Sequence, residues 1–237
     1  MNLILFDPDE TLRSLPLDDP RARHVLQVLQ RQAGDSFDVG LVDGPRGKAT
    51  VERIDGDALR LSFEWGEETP PLEPVTLIVG LPRPQTARKV LEEATALGVQ
   101  AMHFVTSERG DPGYGRSRLW SSGEWRRHLI AGAEQAFSTR LPIVSWGRGL
   151  EDAIGGIEAG GTRRALDNYE AQDRLGAIEL IAPVTLAIGP ERGWTEAERR
   201  LLREAGFRFV HLGERVLRVE TACVAAIALV RAGLGRM

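Results

Sequence analysis

The 237 residues predict an α/β protein in two parts, a small β unit followed by a larger layer of strands and helices. Three observations carry that reading. A Pro-rich acidic seam, "EETPPLEP" (67–74), divides the chain into two textures. Ahead of it stand short, partly alternating apolar runs separated by "DGPRG" and "DGD" turns, the pattern of a small antiparallel barrel. Behind it, apolar strands alternate with helical stretches, which implies a mainly parallel sheet covered on both faces. The expected units are therefore 1–70 and 71–237.

In order along the chain, Asp19 is an N-cap and Pro20 a first helical residue for a helix whose stripe is Ala22, Val25, Leu26 and Leu29. His24, at the edge of that stripe, reads as packing. "FDVGLV" (37–42), "KATVERI" (48–54) and "ALRLSFEW" (58–65) are the strands of the first unit. Past the seam, "VTLIVGL" (75–81) is a buried strand, and "TARKVLEEATAL" is a helix ended by Gly98. "QAMHFVTS" (100–107) is the next strand, followed by a Gly- and Arg-rich loop at 109–118 and a helix over 123–137. "LPIVSW" (141–146), "RRALDN" (163–168) and "PVTLAIGP" (183–190) complete the middle strands. Thr195 and Glu198 form a capping box for "EAERRLLREAG", and "FRFVHL" (207–212) is the last strand. The final helix, 221–230, has no polar face, so both the sheet and a further layer must cover it, either a partner subunit or another helix of the chain.

Composition excludes several classes. One cysteine leaves no internal disulfide and no cysteine-rich zinc site. No apolar run is long enough to cross a bilayer, and "MNLILFDPDE" lacks the basic start of a signal peptide, so the cytoplasm is the expected compartment. Net charge is −4, with 8 basic and 14 acidic residues in 1–70 against 22 and 20 in the remainder. Only Lys48 and Lys89 are lysines. Arginine suits phosphate forks and base stacking, although an Arg-biased composition explains the same count. Charge leaves nucleic-acid binding open.

Ligands of open α/β sheets bind at the carboxyl ends of the strands. Three such ends stand out: "ALDN" (165–168), "AIGPERGW" (187–194) and "HLGERVLR" (211–218). "IGPERGW" has neither Walker A spacing nor a GxGxxG fingerprint, which argues against ATP and NAD. "LGERVLRVETA" (212–222) sets Glu214, Arg215, Arg218 and Glu220 between two segments that look buried. Two readings of Arg218 and Glu220 follow. They are a neutralising pair at a helix start, or the charged floor of a pocket.

"AIGPERGWTEAE" followed by "VHLGERVLRVETA" resembles the paired motifs of the RsmE family, SPOUT-class methyltransferases that modify uridine N3 in 16S ribosomal RNA of the small subunit. "HVLQVLQRQAGDSFDVGLVDG" (24–44), "EATALGVQAMHFVTSERG" (93–110) and "AEQAFSTRLP" (133–142) are similar to other segments of that family, so the resemblance spans most of the chain. It implies a PUA-like, RNA-binding β-barrel over 1–70 and a SPOUT α/β domain with a C-terminal trefoil knot over 71–237. It also implies a homodimer, with the final helix against the second subunit. S-adenosylmethionine would be held mainly by backbone near Leu166, along Ile188, Gly189, Pro190, Glu191 and Gly193, and at Leu212, Gly213, Val216 and Leu217.

By the same resemblance Arg218 stabilises the developing uracil anion, Glu220 is base or orienter, and Thr221 completes the triplet. No metal is required. Arg23, Arg83, Arg109, Arg116, Arg118 and Arg140 are candidate phosphate contacts, each of which taken singly also reads as a solvated surface arginine. Cys223, inside the apolar helix, reads as core. Two departures point to a divergent branch. Arg192 stands where the family usually has glycine, and Glu93 and Ala96 replace its lysine and glutamate. If position 192 needs a positive φ, Arg192 strains the loop. The alternatives are a SPOUT enzyme acting on another RNA, and a non-catalytic RNA-binding or ribosome-assembly protein.

Overall fold

The computed structural model describes residues 3–158 and 160–237. These form two compact units. The first takes the chain up to Pro71 and, beyond a long excursion, Ala133–Leu141; the second takes Leu72–Gly132 and Pro142–Met237. Residues 133–141 therefore join the first unit, whereas a division at 70/71 places them in the second.

Five strands build the first unit: β1 (Ile4–Phe6), β2 (Leu15–Pro16), β3 (Ser36–Leu41), β4 (Pro45–Asp55) and β5 (Ala58–Glu68). Their order is β1-β3-β4-β5-β2, with β1 parallel to β3 and every other pairing antiparallel. Register shifts between Pro45 and Gly47 and between Val51 and Arg53 mark where β4 bends along β5, and such bulges curl a sheet. The curl encloses Ile4, Phe6, Phe37, Val39, Ala49, Val51 and Leu59. Over them lies α1 (Pro20–Arg23), which continues as a π-helical turn over His24–Val28 and buries Ala22 and Val25. Asp19 caps it as expected, accepting from the Arg21 N–H at 2.8 Å. The returning segment is held by polar groups. Thr139 bonds the Thr69 hydroxyl at 2.6 Å, and its carbonyl accepts from the Asp43 N–H at 2.8 Å.

The second unit runs β6 (Glu73–Gly80), α2 (Pro84–Ala96), β7 (Val99–Thr106), α3 (Arg118–Ser121), α4 (Glu124–Gln135, whose last residues enter the first unit), β8 (Ile143–Gly149) and α5 (Leu150–Gly155). It continues with β9 (Thr162–Leu166), β10 (Asp173–Arg174), β11 (Val184–Ile188), α6 (Glu196–Glu204), β12 (Arg208–His211) and α7 (Val219–Gly233). All seven strands are parallel, in the order β10-β12-β9-β11-β6-β7-β8. β11 is inserted between β6 and β9 and is buried at every residue. That matches its unbroken apolar run. On one face α5 and α6 cover a core of Ile78, Val105, Ala165, Ala187, Trp194, Leu202 and Phe207. On the other, α7 packs against α2 and β11, burying Val219, Cys223, Ala226, Ile227 and Val230. Gly98, at φ +79°, ends α2 as expected, and the Thr195–Glu198 capping box opens α6. The strands expected at 141–146 and 183–190 prove to be 143–149 and 184–188.

In the first unit, Arg21 bonds Glu10 through both terminal nitrogens, at 2.7 and 2.8 Å, and Asp19 at 2.8 Å. The Arg21 bond holds the Glu10 carboxyl below its usual 4.5 despite partial burial. A lowered native value makes the stabilising contribution full above 4.5 and lost as pH falls below it. Replacing Arg21 by Met should lower stability at pH 7 and flatten its fall between pH 7 and pH 3. Denaturant melts at several pH values check this.

Candidate functional site

The carboxyl ends of β9, β11 and β12, three neighbouring strands, open onto one cavity of about 990 Å³ in the second unit. Each end is built differently. β9 stops at Leu166, and Asp167 turns the chain: its Oδ1 accepts from the N–H groups of Tyr169 (2.7 Å) and Glu170 (2.9 Å). Its Oδ2 accepts from Arg199 Nε of α6 at 2.7 Å, and both side chains are buried. An ion pair this deep is tolerated only because the remaining lone pairs are also satisfied.

After β11 the chain turns over Pro190–Gly193, closed by the Gly193 N–H on the Pro190 carbonyl at 2.8 Å. Gly193 needs its left-handed φ of +67°. Arg192 takes no positive φ and lies exposed, so its side chain puts no strain on the backbone. The turn is pinned from three sides. The Arg109 Nη1 donates to the Arg192 carbonyl at 2.9 Å, and Glu191 accepts from the Arg83 N–H at the start of α2, at 3.1 Å. A Cβ on Gly80 would lie 2.4 Å from Pro190 Cδ, so only glycine lets the turn sit this close to β6.

After β12 the loop is anchored by His211, whose Nδ1 accepts from the Gly213 N–H at 3.0 Å. It then carries Glu214, Arg215, Val216, Leu217 and Arg218 across the cavity mouth, all exposed. Arg218 is the N-cap residue of α7, with Glu220 in the first turn. Of the two readings of Arg218 and Glu220, the buried neutralising pair does not fit, because Arg218 is exposed. Glu220 instead meets Lys89 of α2, Nζ to Oε1 3.3 Å. Burial pushes the Glu220 carboxyl up, but bonds from its own backbone N–H and from Lys89, with the charges of Lys89 and Arg218, hold it below the usual range. It is therefore ionised at neutral pH, facing the cavity as an acceptor. Burial also pushes the Cys223 thiol up to about 12, which leaves it a core residue.

Of the residues singled out from the sequence, Leu166, Ile188, Gly189, Pro190, Glu191, Gly193, Leu212, Val216, Leu217, Arg218 and Glu220 line this cavity. Gly213 lies within the same loop, and Thr221 is exposed one residue beyond Glu220. Arg83 also lines the cavity, and Arg109 braces it through Arg192. Arg116 and Arg118 are exposed on a 3₁₀ turn and on α3 of the same unit. Arg23 and Arg140 belong to the first unit, where Arg140 binds Glu68 at 2.7 Å and the Asp43 carbonyl at 2.7 Å. Sequence reasoning missed Lys89, Tyr169 and Arg199, and it flagged Asp167 only as part of the strand end "ALDN". An Asp-Asn pair directly after a strand is a turn signal, but its partner on α6 has none. Among the described residues no cluster suited to a metal ion occurs, and no helix is long and apolar enough to cross a membrane.

A family model described as an RNA methyltransferase domain matches residues 68–231. The ribosomal RNA small subunit methyltransferase E of Treponema pallidum is 36% identical, over 98% of this chain and 91% of its own. This chain belongs to the ribosomal RNA small subunit methyltransferase E family. Another member, from Borreliella burgdorferi, is 28% identical over 95% of each chain. A crystal structure of the Neisseria gonorrhoeae member bound to S-adenosyl methionine superposes with a TM-score of 0.81 at 27% identity, covering 98% of this chain and 97% of that one. The family's methyltransferase match takes in all three strand ends that converge on the cavity.

Asp167→Asn keeps the turn's acceptor but leaves buried Arg199 with only the more distant carboxylate of Glu170, 3.7 Å away, as a counter-charge. It should cost about 3 kcal/mol of stability, read by denaturant unfolding.

Proposed function

We propose that the protein transfers a methyl group from S-adenosylmethionine to N3 of a uridine in 16S ribosomal RNA, with the small ribosomal subunit as substrate. The observation that carries this reading is the convergence of "LDN", "IGPERG" and "LGERVLRVE" on one cavity in a chain of this family. In fold terms the curled sheet corresponds to a PUA-like barrel that grips RNA, and the seven-stranded unit to a SPOUT domain whose C-terminal segment is knotted.

The residues present fit the donor. The cavity is at the upper end of the range for small-molecule sites. Exposed apolar groups, Val216 at 82% and Leu217 at 36%, offer contact area to a nucleoside, and the wall carries both carboxylates (Glu191, Glu214, Glu220) and cations (Arg83, Lys89, Arg215), which suits a donor that bears charges of both signs. Peptide groups of the 188–193 and 212–217 loops supply hydrogen bonds. When bound, the donor supplies an electrophilic methyl group on a sulfonium, so no metal is needed.

Uridine N3 must lose a proton before it can attack, and its anion spreads charge onto the carbonyl oxygens. Arg218, at the positive end of α7 and on the cavity wall, is the guanidinium assigned to a uracil oxygen in this reading. Glu220, with Oε1 engaged by Lys89, presents its other oxygen to accept the N3 proton or to orient the base. Thr221 offers a hydroxyl one residue further on. The remaining demand is alignment, which rigid strand ends meet better than mobile loops. Arg23, Arg83, Arg109, Arg116, Arg118 and Arg140 remain the candidates for phosphate contacts; the bonds of Arg109 and Arg140 give those two structural roles as well. A homodimer belongs to the same reading: α7 leaves Leu229 at 37% and Ala232 exposed, an apolar face that a second subunit would cover. The cytoplasm, where small subunits mature, is the compartment this activity requires.

Labelled S-adenosylmethionine incubated with unmodified small subunits should yield 3-methyluridine by nucleoside mass spectrometry, and no transfer would refute the reading. Arg218→Ala should reduce turnover by about a hundredfold at unchanged donor affinity. Gly80→Ala, by pushing the Pro190 turn away, should weaken donor binding at least tenfold in calorimetric titration while leaving a cooperative melt.

A further inference from the structure

Tyr169 lines the cavity, and the catalytic reading gives it no role. Its side chain is 82% exposed, so it contributes almost nothing to the core. Its position is nevertheless over-determined. The Tyr169 N–H is tied to Asp167 Oδ1 at 2.7 Å, and the Arg199 guanidinium lies over its ring, 5.5 Å from the centroid. Arg199 is itself fixed: Asp167 Oδ2 takes its Nε at 2.7 Å, Glu170 lies 3.7 Å away, and only 9% of the residue meets solvent. Glu170 is in turn paired with Arg203 of α6.

The ring is therefore backed on one face by a neutralised, immobile cation, and most of its surface stays uncovered at the rim of the cavity. A solvated surface tyrosine needs no such mount. Two buried charged side chains cost desolvation, and what they hold in place here is the turn at 167–170, which carries an exposed aromatic. An aromatic held in one orientation gives up little entropy on stacking. A cation on one face also draws on the π density of the ring, and cation–π and base-stacking contacts combine in this way at single-stranded nucleic-acid sites.

Resting on the methyltransferase reading above, the geometry points to Tyr169 as a stacking residue for a planar nucleobase, with Asp167 and Arg199 as the positioning residues that hold its ring. Two bases reach this cavity in that reading, the adenine of the methyl donor and a base of the RNA. The chemistry is shared, and the experiment separates them.

Tyr169 is exposed, so its variants should fold. Donor affinity is measured by calorimetric titration with S-adenosylmethionine, and KM and kcat by methyl transfer to unmodified small subunits. If the base is adenine, Tyr169→Ala weakens donor affinity about tenfold. If the base belongs to the RNA, donor affinity stays unchanged and KM for the subunit rises by a similar factor. In either case Tyr169→Phe keeps wild-type behaviour, because stacking uses the ring and not the hydroxyl. The inference is overturned if Tyr169→Ala changes neither quantity, or if Tyr169→Phe is as damaging as Tyr169→Ala. A wild-type protein that binds neither donor nor subunit would overturn the functional reading as well, whereas failure of the inference alone leaves wild-type binding intact.

Discussion

Everything chemical in this protein depends on β9 lying between β11 and β12. The three strands are parallel and in register, Ala165 opposite Ala187 on one side and Phe209 on the other. Their carboxyl ends therefore stop together. Parallel neighbours stand about 5 Å apart, so three loops are forced onto one short line. Small residues at the middle of the ladder let Trp194, Leu202 and Phe207 pack over it. The cavity is the space those loops cannot fill, and its walls are fixed by the sheet beneath them.

Charged side chains hold the loops more than apolar ones do. Arg199 reaches Asp167 from α6, and Glu198 on the same helix accepts from the N–H groups of Thr195 and Glu108, at 2.8 and 3.0 Å. Glu191 and Arg109 tie the Pro190 turn to α2 and to the loop after β7. Lys89 holds Glu220. A loop at a cavity mouth has little apolar surface to bury, so polar ties are the available means of rigidity. Those ties leave Arg218 and Tyr169 exposed at the rim, unlike the buried groups beneath them.

Local signals in the sequence located most of the second unit. The Thr195–Glu198 box, Gly98 and the unbroken apolar run of β11 are each determined by neighbours a few residues away. The first unit was less legible. β1 and β2 are three and two residues long, too short for alternation to register, and β1 enters the sheet by pairing with β3 across more than thirty residues. Residues 133–141 read as the tail of a helix and a strand start, yet their bonds go to Asp43, Gly44 and Thr69.

By itself, then, the chain determined its elements, its two textures and the motifs that name its family, because periodicity, capping and turn chemistry act over a few residues. Only the tertiary structure decided which charges meet. Arg218 and Glu220 are neighbours in sequence, but the carboxylate's partner is Lys89, 131 positions away. Asp167 and Arg199 are likewise brought together by the packing of α6 on β9 and its loop. An ion pair is set by distance and burial, and neither is a local property of the chain.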